Sequence, residues 1–191
     1  MATLLVGHDP EEDMYEVELK VRAAHGPVRE QLDAAGATHV ETVEQEDVYY
    51  DAPDRSFAET DEALRIRRET QDGATETRVT YKGPLVDSES KTRQEAETAV
   101  ADPEAMRAIL DGLGYDPAAT VRKDRERFSL GECTVTLDTV EGLGEFVEVE
   151  IEAEEAGVDA ARERATERMR ELNLNPGDQI RTSYLGLLLA E

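Results

Sequence analysis

The sequence predicts an α+β protein in which about eight antiparallel strands curl so that their charged faces line an interior, with helices packed on the outside. Two observations lead there. In Tyr15-Glu16-Val17-Glu18-Leu19-Lys20-Val21-Arg22, apolar and charged residues alternate without exception over eight positions, which is the period of a strand with one apolar and one charged face. The same alternation then recurs along the chain, while stretches of helical spacing between the strands supply apolar stripes to cover the other face.

The second predicted strand is Glu46-Asp47-Val48-Tyr49-Tyr50, followed by Leu64–Arg67, Arg78–Lys82, Arg93–Glu97, Lys123–Arg127, Thr134–Asp138 and Phe146–Glu152. Turn residues separate many of them: Pro53-Asp54, Asp72-Gly73, Gly83-Pro84, Gly131 and Gly142-Leu143-Gly144. Pro27 opens a helix carrying Val28, Leu32 and Ala35 and stopping at Gly36, and Asp102-Pro103-Glu104 starts one with Met106, Ile109, Leu110 and Leu113. A third helix runs from about Asp159 to Leu172, and a short last one carries Tyr184, Leu185, Leu188 and Leu189. Residues 1–13 show no periodicity and read as a flexible extension, leaving 14–191 as one domain.

Composition limits the partners. With 45 Asp and Glu against 21 Lys and Arg, the net charge is −24, so the molecular field opposes nucleic acid and anionic membranes. No apolar run approaches the roughly 20 residues of a membrane helix. The single Cys133 forms no internal disulfide and no apolar leader is evident, which together predict a cytoplasmic protein. Four lysines stand beside 17 arginines, and this lysine-poor acidity suits concentrated salt, where screening suppresses self-repulsion. Three of those lysines, Lys20, Lys82 and Lys123, fall on the charged strand faces.

A solvated outer face in so acidic a chain should itself be acidic, yet these faces hold about half of all the cations. An interior carrying both signs must pair them or satisfy them with a ligand, because unpaired buried charge is prohibitively costly. A triphosphate with divalent metal meets both needs: Lys and Arg neutralise phosphate oxygens, and carboxylates offer hard ligands to the ion. Other chemistries lack support. His8, His25 and His39 have no metal-ligand spacing, Cys133 has no evident base, and Gly142-Leu143-Gly144 lacks a dinucleotide-site context.

Glu16-x-Glu18-x-Lys20 resembles the ExExK signature of the CYTH family, the triphosphate tunnel metalloenzymes, which include class IV adenylate cyclases and thiamine triphosphatases. Further segments follow in family order over residues 14–189: Val48–Pro53, Ala63–Arg67, Tyr81–Pro84, Arg93-x-Glu95-x-Glu97, Lys123-x-Arg125, Leu137-Asp138, Gly144–Glu150 and Ser183-Tyr184-Leu185. The resemblance implies a closed eight-stranded antiparallel barrel, a tunnel open at both ends. It assigns catalytic roles to Glu16, Glu18, Lys20 and Lys82, and triphosphate binding to Lys20, Arg65, Arg67, Lys82, Arg93, Lys123 and Arg125. It implies Glu16, Glu18, Glu95, Glu97, Asp138, Glu148 and Glu150 as ligands of Mg²⁺ or Mn²⁺, two ions in all. The implied activity is conversion of ATP to cyclic AMP and pyrophosphate, with a thiamine triphosphatase or inorganic tripolyphosphatase as the alternative, and a non-catalytic binder of nucleotide or polyphosphate behind both. Relatives of this kind include homodimers.

Overall fold

The computed structural model describes residues 14–85 and 93–190; the predicted extension 1–13 and Lys91 lie outside the described residues, as do the side chains of Arg93 and Glu95. Every predicted strand is present, most of them longer than the alternation alone indicated. They are β1 (Met14–Arg22), β2 (Thr38–Asp51), β3 (Ala63–Gln71), β4 (Ala74–Leu85), β5 (Arg93–Ala99), β6 (Asp116–Leu130), β7 (Cys133–Val140) and β8 (Gly144–Glu154). All belong to one antiparallel sheet in the order β1-β8-β7-β6-β2-β3-β4-β5. Between β3 and β4, Asp72 and Gly73 both take positive φ, 50° and 81°, as a two-residue hairpin turn requires.

The helices are α1 (His25–Ala34), α2 (Phe57–Thr60), α3 (Pro103–Gly112), α4 (Val158–Glu171) and α5 (Tyr184–Leu189). Helix α1 begins two residues before Pro27, which therefore sits in the first turn, where a missing N–H costs nothing. His25 anchors that start through a 3.0 Å contact from Nε2 to the Phe146 carbonyl. Asp102 caps α3 by accepting a bond from the Ala105 N–H. Among the described residues, no helix is long and apolar enough to cross a membrane.

Three apolar clusters fix these elements. The largest lies on the outward face of β1, β8 and β7, where Val17, Leu19, Val149 and Ile151 meet α1 through Val28 and Leu32, and α4 through Ala161, Ala165 and Met169. The spacing of four in that α4 stripe places small alanines where helix and sheet approach and Met169 where a gap remains. Met169→Ala is expected to destabilise the fold by about 2–5 kcal/mol, read by denaturant titration, because the side chain is fully buried and its loss leaves a cavity. A second outward cluster joins Tyr50, Ile66, Leu64 and Val79 to Met106 and Leu110 of α3.

The third cluster departs from the prediction of helices on the outside only. Val121, Val140 and Phe146 belong to the inward face, and α5 packs on them through Tyr184, Leu185, Leu187 and Leu188. At that end of the strands the charged alternation gives way to apolar residues, and an apolar helix covers them.

The sheet is strongly curled. Arg127 on β6 and Glu97 on β5 are four strands apart, about 19 Å in a flat sheet, yet both line one cavity of about 270 Å³. β1 and β5 are the two edges of the order, and among the described residues no hydrogen-bonded pairing joins them, so the expected closure into a barrel is not shown. The outward residues Ala96 and Thr98 of β5 are exposed and offer little apolar surface to press that edge against β1.

Candidate active site

Register decides which side chains share the inner face, since paired residues in an antiparallel sheet point the same way. Glu18 pairs with Glu150 and Lys20 with Glu148; Glu148 pairs with Thr136 and Phe146 with Asp138; Asp138 pairs with Arg125 and Arg127 with Thr136. Across β2, Lys123 pairs with Gln45 and Gln45 with Glu69, while Asp47 pairs with Arg67, and Tyr49 with Arg65. Arg65 pairs with Thr80, and Thr80 with Glu97; Glu95 pairs with Lys82. The expected site residues therefore occupy one face of one sheet.

Burial grades along β1 and β8 toward α5. Glu16 is exposed, Glu18 half-buried and Lys20 only 4% exposed; Glu152 is exposed, Glu150 half-buried and Glu148 buried. Among the described residues the site is thus a trough with a deep end under α5 and an outer end.

The deep end is a dense ionic network. Asp138, fully buried, accepts from Arg125 Nε at 2.7 Å and Nη2 at 2.5 Å and from the Tyr184 hydroxyl at 2.9 Å, with Lys123 Nζ at 3.7 Å. Arg125 Nη2 also donates to Glu148 at 2.7 Å, and Lys20 lies 3.9 Å from Glu148 and 3.8 Å from Glu18. Both ammonium groups stand over the Tyr184 ring, Lys20 at 4.5 Å and Lys123 at 5.2 Å from its centre. Burial would push the Asp138 carboxyl up, but the Arg125 hydrogen bond and the Lys123 charge hold it below its ordinary value. Burial, then the like charge of Arg125, pushes Lys123 down to about 8.

A second group centres on Asp47, which accepts from Arg67 Nε and Nη2, each at 2.6 Å, with Arg65 Nη1 at 3.4 Å. Glu97 accepts from Arg78 at 3.0 Å and from Thr80 at 2.7 Å. Lys82 is half-buried on β4. Around Asp47, Asp138 and Glu148, five cations (Lys20, Arg65, Arg67, Lys123 and Arg125) face three carboxylates. That surplus is set inside a protein of net charge −24.

The outer carboxylates behave in the opposite way. Glu150 is pushed up to about 8 by burial and then by the charge and hydrogen bond of Glu16 and the charge of Glu18; Glu148 is also raised, by burial and then by Glu18. Repulsion among these neighbouring carboxylates, together with their hard donor chemistry, fits a divalent cation. Among the described residues, no three Asp, Glu, His or Cys side chains already converge as a metal cluster. Asp138, an expected ligand, has both oxygens bonded to Arg125 instead.

Sequence reasoning missed three site residues. Asp47 was read only as strand, Gln45 fell one residue before the predicted strand, and Tyr184 was placed on an outer helix; the period of two that puts 45, 47 and 49 on one face was the available signal.

The CYTH domain model matches residues 14–184, nearly all of this sheet and the helix start that covers it. The chain belongs to the CYTH domain family. Among its relatives is MJ0240 of Methanocaldococcus jannaschii, provisionally named an adenylate cyclase, which is 42% identical over 176 residues, 91% of this chain and 98% of the relative. The PH1819 protein of Pyrococcus horikoshii OT3 superposes with a TM-score of 0.82 at 40% identity, covering 92% of this chain and 99% of that one. HpAC1 from Hippeastrum, a cyclase-named protein described as having a dominant triphosphatase activity, shares the fold at a TM-score of 0.66 and 19% identity, with 93% and 96% covered. The trough is therefore built on the CYTH sheet, and α5 closes its deep end.

Proposed function

We propose that the chain is a metal-dependent enzyme acting on a triphosphate, and specifically a class IV adenylate cyclase-like enzyme that converts ATP to cyclic AMP and pyrophosphate. The observation that carries this reading is the set of five cations gathered around three carboxylates at one end of a face whose other end carries carboxylates that repel one another. Lys20, Arg65, Arg67, Lys82, Lys123 and Arg125 bind the phosphate oxygens, with Arg93 as a further contributor from β5. Glu16, Glu18, Glu148 and Glu150 hold Mg²⁺ or Mn²⁺, with Glu95 and Glu97 facing the same site from β5; Asp138 positions Arg125 and Lys123 in place of binding metal. When bound, the metal neutralises phosphate charge and lowers the pKa of the attacking hydroxyl.

Phosphoryl chemistry asks the protein mainly for positioning and charge stabilisation. Arg125 and Arg67 each spend Nε and Nη2 on one carboxylate, which fixes the guanidinium and leaves its Nη1 end to the substrate. In the cyclase reaction the ribose 3′-oxygen forms a bond to the α-phosphorus, the bond to the β-phosphate bridging oxygen breaks, and pyrophosphate leaves. The second reading is hydrolysis, in which water attacks the γ-phosphorus of thiamine triphosphate or tripolyphosphate; the activity described for HpAC1 keeps it in view.

Incubation in concentrated salt with Mg²⁺ or Mn²⁺ and ATP, thiamine triphosphate or tripolyphosphate separates the readings. Cyclic AMP from ATP is the expected product. Orthophosphate alone selects the hydrolase, and binding without turnover selects a nucleotide or polyphosphate binder.

A further inference from the structure

Gln45 is 3% exposed on the inward face of β2, and its Oε1 is buried with no hydrogen-bond partner among the described residues. The orientation of its amide is fixed by chemistry. Nε2 donates to Glu69 Oε2, and a carboxylate cannot donate in return, so turning the amide over would set two acceptors against each other. The neighbouring cation on β6, Lys123, directs its ammonium to Asp138. A buried acceptor left open in this way awaits a donor that the protein does not supply.

Its position says which donor. Along β2 the inward residues run from Tyr49, beside α5, through Asp47 to Gln45, so Gln45 lies one inward step, about 7 Å, beyond the carboxylate that holds Arg65 and Arg67. Glu69 in turn lines the 270 Å³ cavity together with Arg67 and Arg127. A ligand whose phosphates engage Arg65 and Arg67 can extend one step along β2 to Gln45, which lies level with Lys123. Phosphate oxygens only accept at this pH and cannot satisfy Oε1, whereas ribose hydroxyls and exocyclic amines donate.

We propose that Gln45, oriented by Glu69, accepts a hydrogen bond from a hydroxyl or amino donor of the nucleoside portion of the substrate, and so makes the site prefer a nucleoside triphosphate to inorganic tripolyphosphate. This rests on the triphosphate reading above. It adds a residue that rewards the nucleoside, since a site built around a buried hydrogen bond discriminates against analogues that leave it unmade.

The test is titration calorimetry with Mg²⁺ and the analogues of ATP and tripolyphosphate whose two bridging oxygens are methylene groups, which prevents turnover. The protein is expected to bind the ATP analogue more tightly. Gln45→Leu, or Gln45→Met should the first variant fold poorly, is expected to weaken the ATP analogue by about tenfold while leaving the tripolyphosphate analogue unchanged. Equal losses for both ligands, no loss for either, or no initial preference would each overturn the inference while leaving the triphosphate reading in place. Failure of both ligands to bind the unaltered protein would sink the triphosphate reading itself.

Discussion

Asp138→Ala is expected to lower the melting temperature by roughly 6–20 °C, from a loss of about 3–5 kcal/mol and the 2–4 °C per kcal/mol typical of this chain length. The carboxylate is fully buried and bonded to Arg125, Tyr184 and Lys123. Removing it leaves the Arg125 guanidinium and the Lys123 ammonium to share Glu148 with Lys20. The cost is that of stranded charge, so it should persist as salt is raised, unlike the effect of cutting an exposed pair. Tyr184→Phe provides the contrast. It removes one hydroxyl bond and keeps the ionic set, for about 1 kcal/mol. Calorimetric scans of both variants check the ranking, and an unchanged melting temperature in Asp138→Ala would mean that the network contributes nothing to the fold.

The strands were legible because a sheet with one apolar face writes itself as a period of two; Lys20, Arg65, Lys123 and Asp138 were rightly grouped because they share that period. Alternation states which residues lie on a common face. It does not say how deep each lies, and the passage from exposed Glu16 to buried Lys20 along β1 is set by α5, a helix of six residues whose apolar character fits either side of the sheet. Closure was illegible for a similar reason: whether β5 meets β1 depends on the contact of two edges far apart in sequence, which local pattern does not encode. Pairing partners were hidden too. Asp138 and Glu150 are both inward carboxylates of adjacent strands, yet Asp138 meets Arg125 and Glu150 meets Glu16, and their proton affinities move in opposite directions.

Arg65→Ala and Glu18→Ala are each expected to reduce triphosphate turnover by about 10²–10³-fold or more with little change in melting temperature. The separation of activity from stability follows from the pairing. Asp47 keeps both 2.6 Å bonds from Arg67 when Arg65 is removed, so no buried carboxylate is orphaned, while the Arg65 Nε, buried with no partner among the described residues, is lost as a proposed donor to phosphate. Arg67→Ala, by contrast, should cost stability as well, since Asp47 would retain only the 3.4 Å contact. Glu18 stands opposite Glu150, and its charge raises the proton affinity of both Glu148 and Glu150. Its removal relieves that repulsion and leaves Lys20 with Glu148, so the fold should be unharmed while a proposed metal ligand disappears. Steady-state turnover beside thermal melts distinguishes the cases, with Arg65→Lys expected to recover part of the activity because it restores charge without the guanidinium fork. Full turnover in both alanine variants would show that the inward cations and carboxylates do not touch the substrate.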